Sequence, residues 1–130
     1  MDDARDRPRG ERFPRSHRIL TRRDFLRVQQ TGKRVHTPHF VIIVLPAPRK
    51  RLGITVTKRV AGAVGRNRIR RCLREVYRRN GELFPEGCDV VVIARSGAGE
   101  LGYRSMLEEM QGARDAMARA AGARAAGGAS

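Results

Sequence analysis

Between residues 15 and 79 the chain carries nineteen Lys and Arg against two acids, Asp24 and Glu75. Such a block cannot be buried, so each element within it must keep one charged face in water and hide its apolar residues on the other. The flanks are near neutral: residues 1–14 hold four Arg and four acids, and residues 80–130 hold five Arg and seven acids. The whole chain has 130 residues and a formal charge of +15. That length suits one domain. The imbalance favours a polyanionic partner, and the preference for Arg favours phosphate, which a guanidinium grips bidentately. No apolar run approaches the roughly 20 residues that span a bilayer. Met1–Arg12 lacks the apolar stretch of a secretory signal. Cys72 and Cys88 have no C-x-x-C spacing, which fits a reducing cytosol and argues against a disulfide scaffold or a zinc module.

Residues 1–14, rich in Arg, Asp and Pro, are expected to form a disordered arm. A helix is predicted over 22–31. Thr21 is a suitable N-cap, Asp24 falls where a capping-box acid belongs, and Leu20 and Phe25 hold the positions of a hydrophobic staple. Gly32 is the expected stop. Phe40–Leu45 reads as a strand closed by Pro46 and Pro48, with an extended segment before it near Lys33–His36. Over 52–57, Leu52, Ile54 and Val56 alternate with Gly53, Thr55 and Thr57, so one face of that strand is apolar and the other small and polar. The small face is either plain solvent-exposed surface or a shallow floor for another chain.

A second helix is predicted over 66–80, with Gly81 as its stop. Ile69, Leu73, Val76 and Tyr77 form its buried stripe. At roughly 100° per residue, Arg66, Asn67, Arg70, Arg71, Arg74 and Arg78 share one arc beside that stripe, with Arg68 and Arg79 further round. Seven Arg within fourteen residues repel one another unless anions neutralise them. Val90–Ile93 is a continuous apolar run, suited to a central strand covered on both faces. A third helix is expected over 103–118, carrying Met106, Leu107, Met110 and Met117. Residues 119–130 drift to Ala, Gly and Arg and are expected to be a disordered tail. The order predicts a single α+β domain over 15–118, with helices on a small mixed sheet.

Leu52–Glu75 combines a strand ending in Lys58-Arg59, a Gly/Ala-rich turn at Ala61–Gly65, a helix start at Arg66-Asn67-Arg68, and then Arg70, Arg71 and Arg74. This segment closely resembles the signature of the bacterial ribonuclease P protein component. The resemblance extends over Phe13–Met110. It includes Phe13-Pro14, His17-Arg18-Ile19-Leu20 and Arg23-Asp24-Phe25 at the entry, and Asp89–Arg95 near the end. It implies the α-β-β-β-α-β-α fold of the ribosomal protein S5 domain 2-like kind, with a left-handed β-α-β crossover against the usual right-handed rule. It also implies the protein subunit of a cytoplasmic ribonucleoprotein endonuclease that removes the 5′ leader from precursor tRNA. In that family the RNA subunit is the catalyst and holds most of the Mg2+.

Carried onto this chain, the resemblance places Lys58, Arg59, Arg66, Asn67, Arg68, Arg70, Arg71 and Arg74 against the catalytic RNA. Phe25 would line the leader cleft, where a ring stacks on a base whatever its identity. Its staple position equally predicts burial. Phe40 would face the same cleft from a strand. Gln29 stands where the family often has a second cleft aromatic, and Ile43 where it sometimes has a strand aromatic, so Gln29 would offer polar contact instead. No catalytic residue, metal site, membrane contact or small-molecule substrate is expected of the protein itself. A two-metal nuclease needs clustered carboxylates, and the basic block offers only Asp24 and Glu75. His17, His36 and His39 are isolated and suit surface or phosphate-contacting positions. Cys72 is assigned no chemistry. The competing reading is a non-catalytic RNA-binding protein, either ribosomal or a chaperone. A DNA regulator reading a major groove fits less well, because the helix over 66–80 has few Asn or Gln beyond Asn67 for base recognition.

Overall fold

A computed structural model describes residues 14–129, with side chains from 14 to 122. All but the last residue of the expected arm, 1–14, lies outside the described residues. The elements are α1 (Arg22–Thr31), β1 (Lys33–His36), β2 (Phe40–Pro46), β3 (Arg51–Thr55), α2 (Ala63–Arg79), β4 (Cys88–Ala94) and α3 (Tyr103–Ala129). Short 3-10 turns occupy Arg15–His17, Gly81–Leu83 and Ala98–Glu100. The sheet order is β1-β2-β4-β3. β2 runs antiparallel to both β1 and β4, whereas β3 and β4 are parallel and joined through α2. This is the α-β-β-β-α-β-α order, in one α+β domain.

The period of two along each strand divides the core. On one face, Phe40, Ile42, Val44, Leu52, Val90 and Val92 meet Ile69, Leu73, Val76 and Tyr77 of α2 and Met106, Met110 and Met117 of α3. On the other, Ile43, Leu45 and Val91 lie under Val28 of α1, with Ile19 beside them. β4 is therefore buried on both faces, as its unbroken apolar run requires.

Several boundaries differ from expectation. α2 begins at Ala63, three residues early, with Gly62 as N-cap and an Arg66 N–H to Gly62 carbonyl bond of 2.8 Å. Its first turn buries no apolar residue (Val64 is 84% exposed), so no periodic signal marks it. Arg66-Asn67-Arg68 consequently sits in the second turn. β3 ends at Thr55, because the Thr57 carbonyl already accepts from Val60 in the following turn. α3 continues to Ala129 where a tail from 119 was expected. Ala is the strongest helix former, and Met117 and Ala120 still pack on the core. Gly32 does end α1, but at an ordinary φ of −77°. Its need is space: a Cβ there would lie 2.6 Å from Ile43 Cγ2 and 2.8 Å from the Val28 carbonyl.

Asp89 is the one polar or charged residue that is fully buried among the described residues. Arg51, its β3 neighbour in register, grips it at 3.0 and 2.9 Å. Arg49 of the β2–β3 loop and Arg27 of α1 reach the same carboxylate at 3.4 and 3.5 Å. Arg51 also bonds Asp24 of α1 at 3.3 Å. Desolvation works against ionised Asp24, but Arg51, Arg27 and the Thr21 hydroxyl hold its carboxyl below the ordinary 3.8. Removing one member of a buried pair leaves the others uncompensated. Asp89→Ala should therefore lose about 3–5 kcal/mol of stability in urea titration.

A second polar clamp holds the β1–β2 turn to α3. Glu109 accepts from the His39 backbone N–H at 2.6 Å and meets His39 Nδ1 at 2.9 Å, and the Thr37 hydroxyl donates to it as well. Burial would raise the Glu109 carboxyl, yet these bonds hold it below the ordinary 4.5. A depressed folded value stabilises above the unfolded pKa and is lost as pH falls through the folded one. Wild-type melting temperature should thus hold from pH 7 to about 5 and fall steadily below about 4.5. Glu109→Gln should show a smaller fall over that acidic window when the two are melted side by side.

Candidate nucleic-acid interface

β3 is an edge strand, and α1 and α2 lie to either side of it. Its outer edge is partly covered by the incoming chain, where Arg18 bridges Leu52 in parallel and the Ile19 N–H reaches the Leu52 carbonyl at 3.0 Å. Beyond that point a groove of about 510 Å³ opens, lined by Arg22, Phe25, Leu26 and Gln29 of α1, Thr55 of β3 and Arg70 of α2. A smaller hollow of about 220 Å³ shares Leu20, Phe25 and Ile54 with it and adds Arg18, Gly53 and Arg74. The two form one continuous trough.

The Phe25 ring can sit at the edge of the trough because Gly53 has no side chain. A Cβ at 53 would lie 2.7 and 2.8 Å from the Phe25 ring. The ring rests on that strand position, half-buried, with one side in the trough. Phe25 is thus both a core-edge residue and a groove residue. Leu20, its staple partner by position, stays 49% exposed and lines both hollows. Of the two polar positions considered as a floor, Thr55 lies in the groove and Thr57 lies outside it, exposed in the next turn.

The opposite wall is basic. Arg70 and Arg74 enter from α2, and Arg18 faces them from the first segment. Partial desolvation, and then the charges of Arg18 and Arg70, lower the Arg74 pKa from its ordinary 12.5. The charge part of that shift reflects neighbouring arginines, and such a wall attracts an anion. The first segment is pinned behind the groove by His17, whose Nδ1 lies 2.8 Å from the Tyr77 hydroxyl. Burial, with the nearby Glu86 charge, pushes Tyr77 up to about 12, so the phenol stays neutral.

The other expected residues divide. Lys58 and Arg59 are exposed in the turn before α2, and Asn67 and Arg71 are exposed on α2 itself. Arg66 donates to the Ala61 carbonyl at 3.1 Å, bracing the first turn. Arg68 is diverted: it donates to the Leu101 carbonyl at 2.6 Å and also to the Gly99 carbonyl, tying α2 to the start of α3. Phe40 is a correction. It is fully buried on the face covered by α2 and α3, not on the α1 side. Ile43, three residues on, points the opposite way because three is odd, and it is fully buried beneath α1. Neither can touch a chain in the groove. Arg18, Leu20, Arg22 and Leu26 complete the trough without having been singled out as contacts. Among the described residues no cluster of three His, Cys, Asp or Glu could hold a metal ion, and no helix is long and apolar enough to cross a membrane.

A small α+β domain with an aromatic-edged trough and an arginine wall is a nucleic-acid-binding protein by construction. The comparisons narrow this class. The Ribonuclease P family model matches residues 13–118. The ribonuclease P protein component of Syntrophus aciditrophicus is 42% identical over 100 residues, covering 74% of this chain and 82% of that one. The component from Thermotoga maritima is 38% identical over 92 residues, covering 69% and 79%. Among solved structures, the Staphylococcus aureus RNase P protein superimposes with a TM-score of 0.67 at 30% identity, over 73% of this chain and 89% of that one. The Thermotoga maritima RNase P protein gives 0.66 at 33% identity, over 72% and 90%. The chain belongs to the ribonuclease P protein family.

The Gly53–Phe25 contact is testable. Gly53→Ala should cost about 1–3 kcal/mol by forcing the ring away. Its effect should shrink markedly in a Phe25→Ala background, because the added methyl then has room. A double-mutant cycle by chemical denaturation reads this coupling; strict additivity would mean that the ring does not rest on Gly53.

Proposed function

We propose that this chain acts as the protein subunit of a ribonuclease P holoenzyme, with the exposed face of α2 on the catalytic RNA and the trough beside β3 holding the 5′ leader of precursor tRNA. The observation that carries this reading is the trough itself, where a ring and four arginines, Arg18, Arg22, Arg70 and Arg74, converge on one strand edge. A single strand laid there would stack a base on Phe25, meet Gln29 and Thr55 with its polar edges, and place phosphates near Arg18, Arg70 and Arg74. Lys58, Arg59, Arg66, Asn67 and Arg71 continue the basic surface away from the trough. One helix would thus serve the leader with one flank and the catalytic RNA with the other.

In this reading the cleavage chemistry and its Mg2+ belong to the RNA subunit. Among the described residues no cluster of acids could hold that ion, and five acids are already engaged. Asp24 and Asp89 face arginines, Glu75 pairs with Arg78, Glu86 with Lys50, and Glu109 with His39. The protein's contribution is electrostatic: its arginines offset the repulsion that builds when leader, tRNA and catalytic RNA meet, and this lowers the Mg2+ needed. The reaction belongs in the cytoplasm.

The test is cleavage of a 5′-extended precursor tRNA at low Mg2+ by a bacterial ribonuclease P RNA, with and without the chain. Correct 5′ ends only when both are present is the expected result. Salt-sensitive RNA binding without any change in cleavage would favour a ribosomal protein or RNA chaperone. Arg70→Ala and Arg74→Ala should each weaken RNA binding by about 1 kcal/mol or more and flatten its salt slope by about one phosphate. Phe25→Ala should impair binding of leader-bearing tRNA more than of mature tRNA; equal losses would assign Phe25 to the core alone.

A further inference from the structure

We propose that Arg27 and Arg49 form a second phosphate-binding site, on the side of α1 away from the trough, that takes the backbone of an RNA strand. The proposal rests on the ribonuclease P reading for its partner and on separate geometry for its site.

Asp89 already has a full partner. Arg51 occupies both carboxylate oxygens, at 3.0 and 2.9 Å, and its side chain is only 12% exposed. Arg27 and Arg49 add long contacts to the same Oδ2, at 3.5 and 3.4 Å, each through Nη2 alone. Arg27 also lies 3.6 Å from Asp24, which is itself engaged by Arg51. A guanidinium has five donors. Most of those on Arg27 and Arg49 therefore face outward, and the two side chains are 45% and 41% exposed. Because both Nη2 atoms lie within 3.5 Å of one oxygen, they are at most about 7 Å apart. Three arginines meet two acids here, so a positive charge is left over. The nearby Glu86 does not cancel it, being bonded to Lys50 at 2.6 Å.

The buried carboxylate thus acts as a post that holds two arginine heads side by side. These contacts bias the two heads toward one place in the free protein, which lowers the ordering cost of binding a phosphate there. Core packing does not need them there, since Arg51 alone satisfies Asp89. The site is also distinct from the trough. Arg27 follows Phe25 by two residues, a turn of roughly 200° around α1. A strand in the trough meets Phe25, Leu26 and Gln29, and one on the far side meets Arg27 and Arg49. The helix α1 would then be gripped between two RNA segments.

The test compares wild type with Arg27→Gln/Arg49→Gln and with Arg27→Lys/Arg49→Lys. Each is titrated with ribonuclease P RNA and, separately, with leader-bearing precursor tRNA over a range of salt. The glutamine variant should unfold near the wild-type midpoint. Its RNA affinity should fall about tenfold at low salt, and its log–log salt slope should flatten by about two phosphates, at roughly 0.7 each for a single strand. The lysine variant should recover most of the slope but less of the affinity, because it keeps charge and loses the fork. Loss with the RNA subunit identifies its backbone as the occupant, and loss only with precursor tRNA identifies the substrate. Unchanged slope and affinity in the glutamine variant would overturn the proposal. NMR of the arginine Nε–H signals during an inorganic phosphate titration reads the site without RNA. Shifts at Arg27 and Arg49 support it even if the chain fails to bind ribonuclease P RNA, which would instead overturn the subunit reading. No shift at either residue overturns the site.

Discussion

The buried carboxylate of Asp89 is the interaction on which the arrangement of this protein depends. It lies on the central strand β4 and is reached from β3, from the β2–β3 loop and from α1. A charge placed there is costly to desolvate, and the cost is tolerable only if partners arrive with good geometry. Arg51 supplies that geometry across one parallel rung of the sheet. The consequence reaches beyond local satisfaction. Asp24 is drawn to the same arginine, so α1 is held at one angle over the sheet. That angle decides where Phe25 comes to rest and therefore where the trough opens.

The trough is a managed edge. An unpaired strand edge invites wrong pairing, and proteins blunt such edges with charge or with a covering segment. Here the covering segment stops early: Arg18 and Ile19 pair with Leu52 and then leave. The remainder of β3 lies between a ring and an arginine wall. Charge keeps other strands of this chain away, while a polyanion is attracted by the same residues. Desolvation, and then the charges of Arg18 and Arg70, lower the Arg74 pKa, so this wall favours an anionic neighbour.

Much of this was legible in the residues. The N-cap of α1, the buried stripe of α2, the apolar run of β4 and the arginine arc all follow from local pattern, which depends only on neighbours a few residues apart. Gln29 lines the same groove as Phe25 because the two, four residues apart, share a helical face. Phe40 failed for an equally simple reason. Its strand was recognised, but an apolar run on a doubly covered strand carries no alternation to say which face is which. The bonds from Arg68 to the Gly99 and Leu101 carbonyls were not legible, because those acceptors lie about thirty residues away in sequence. The first turn of α2 and the far end of α3 were missed where exposed small residues carry no apolar rhythm.

The sequence by itself determined the elements, the basic character and the residue types able to grip an RNA, since these depend on composition and short-range spacing. Tertiary structure alone decided which arginines turn outward to solvent, which bond carbonyls, and which gather around Asp89. Those choices are made by contacts between elements distant in the chain, such as Arg51 with Asp24 and Gly53 with Phe25. A guanidinium has the same charge in every one of these settings. Its role is set by the acceptors that folding places within about 3 Å of it.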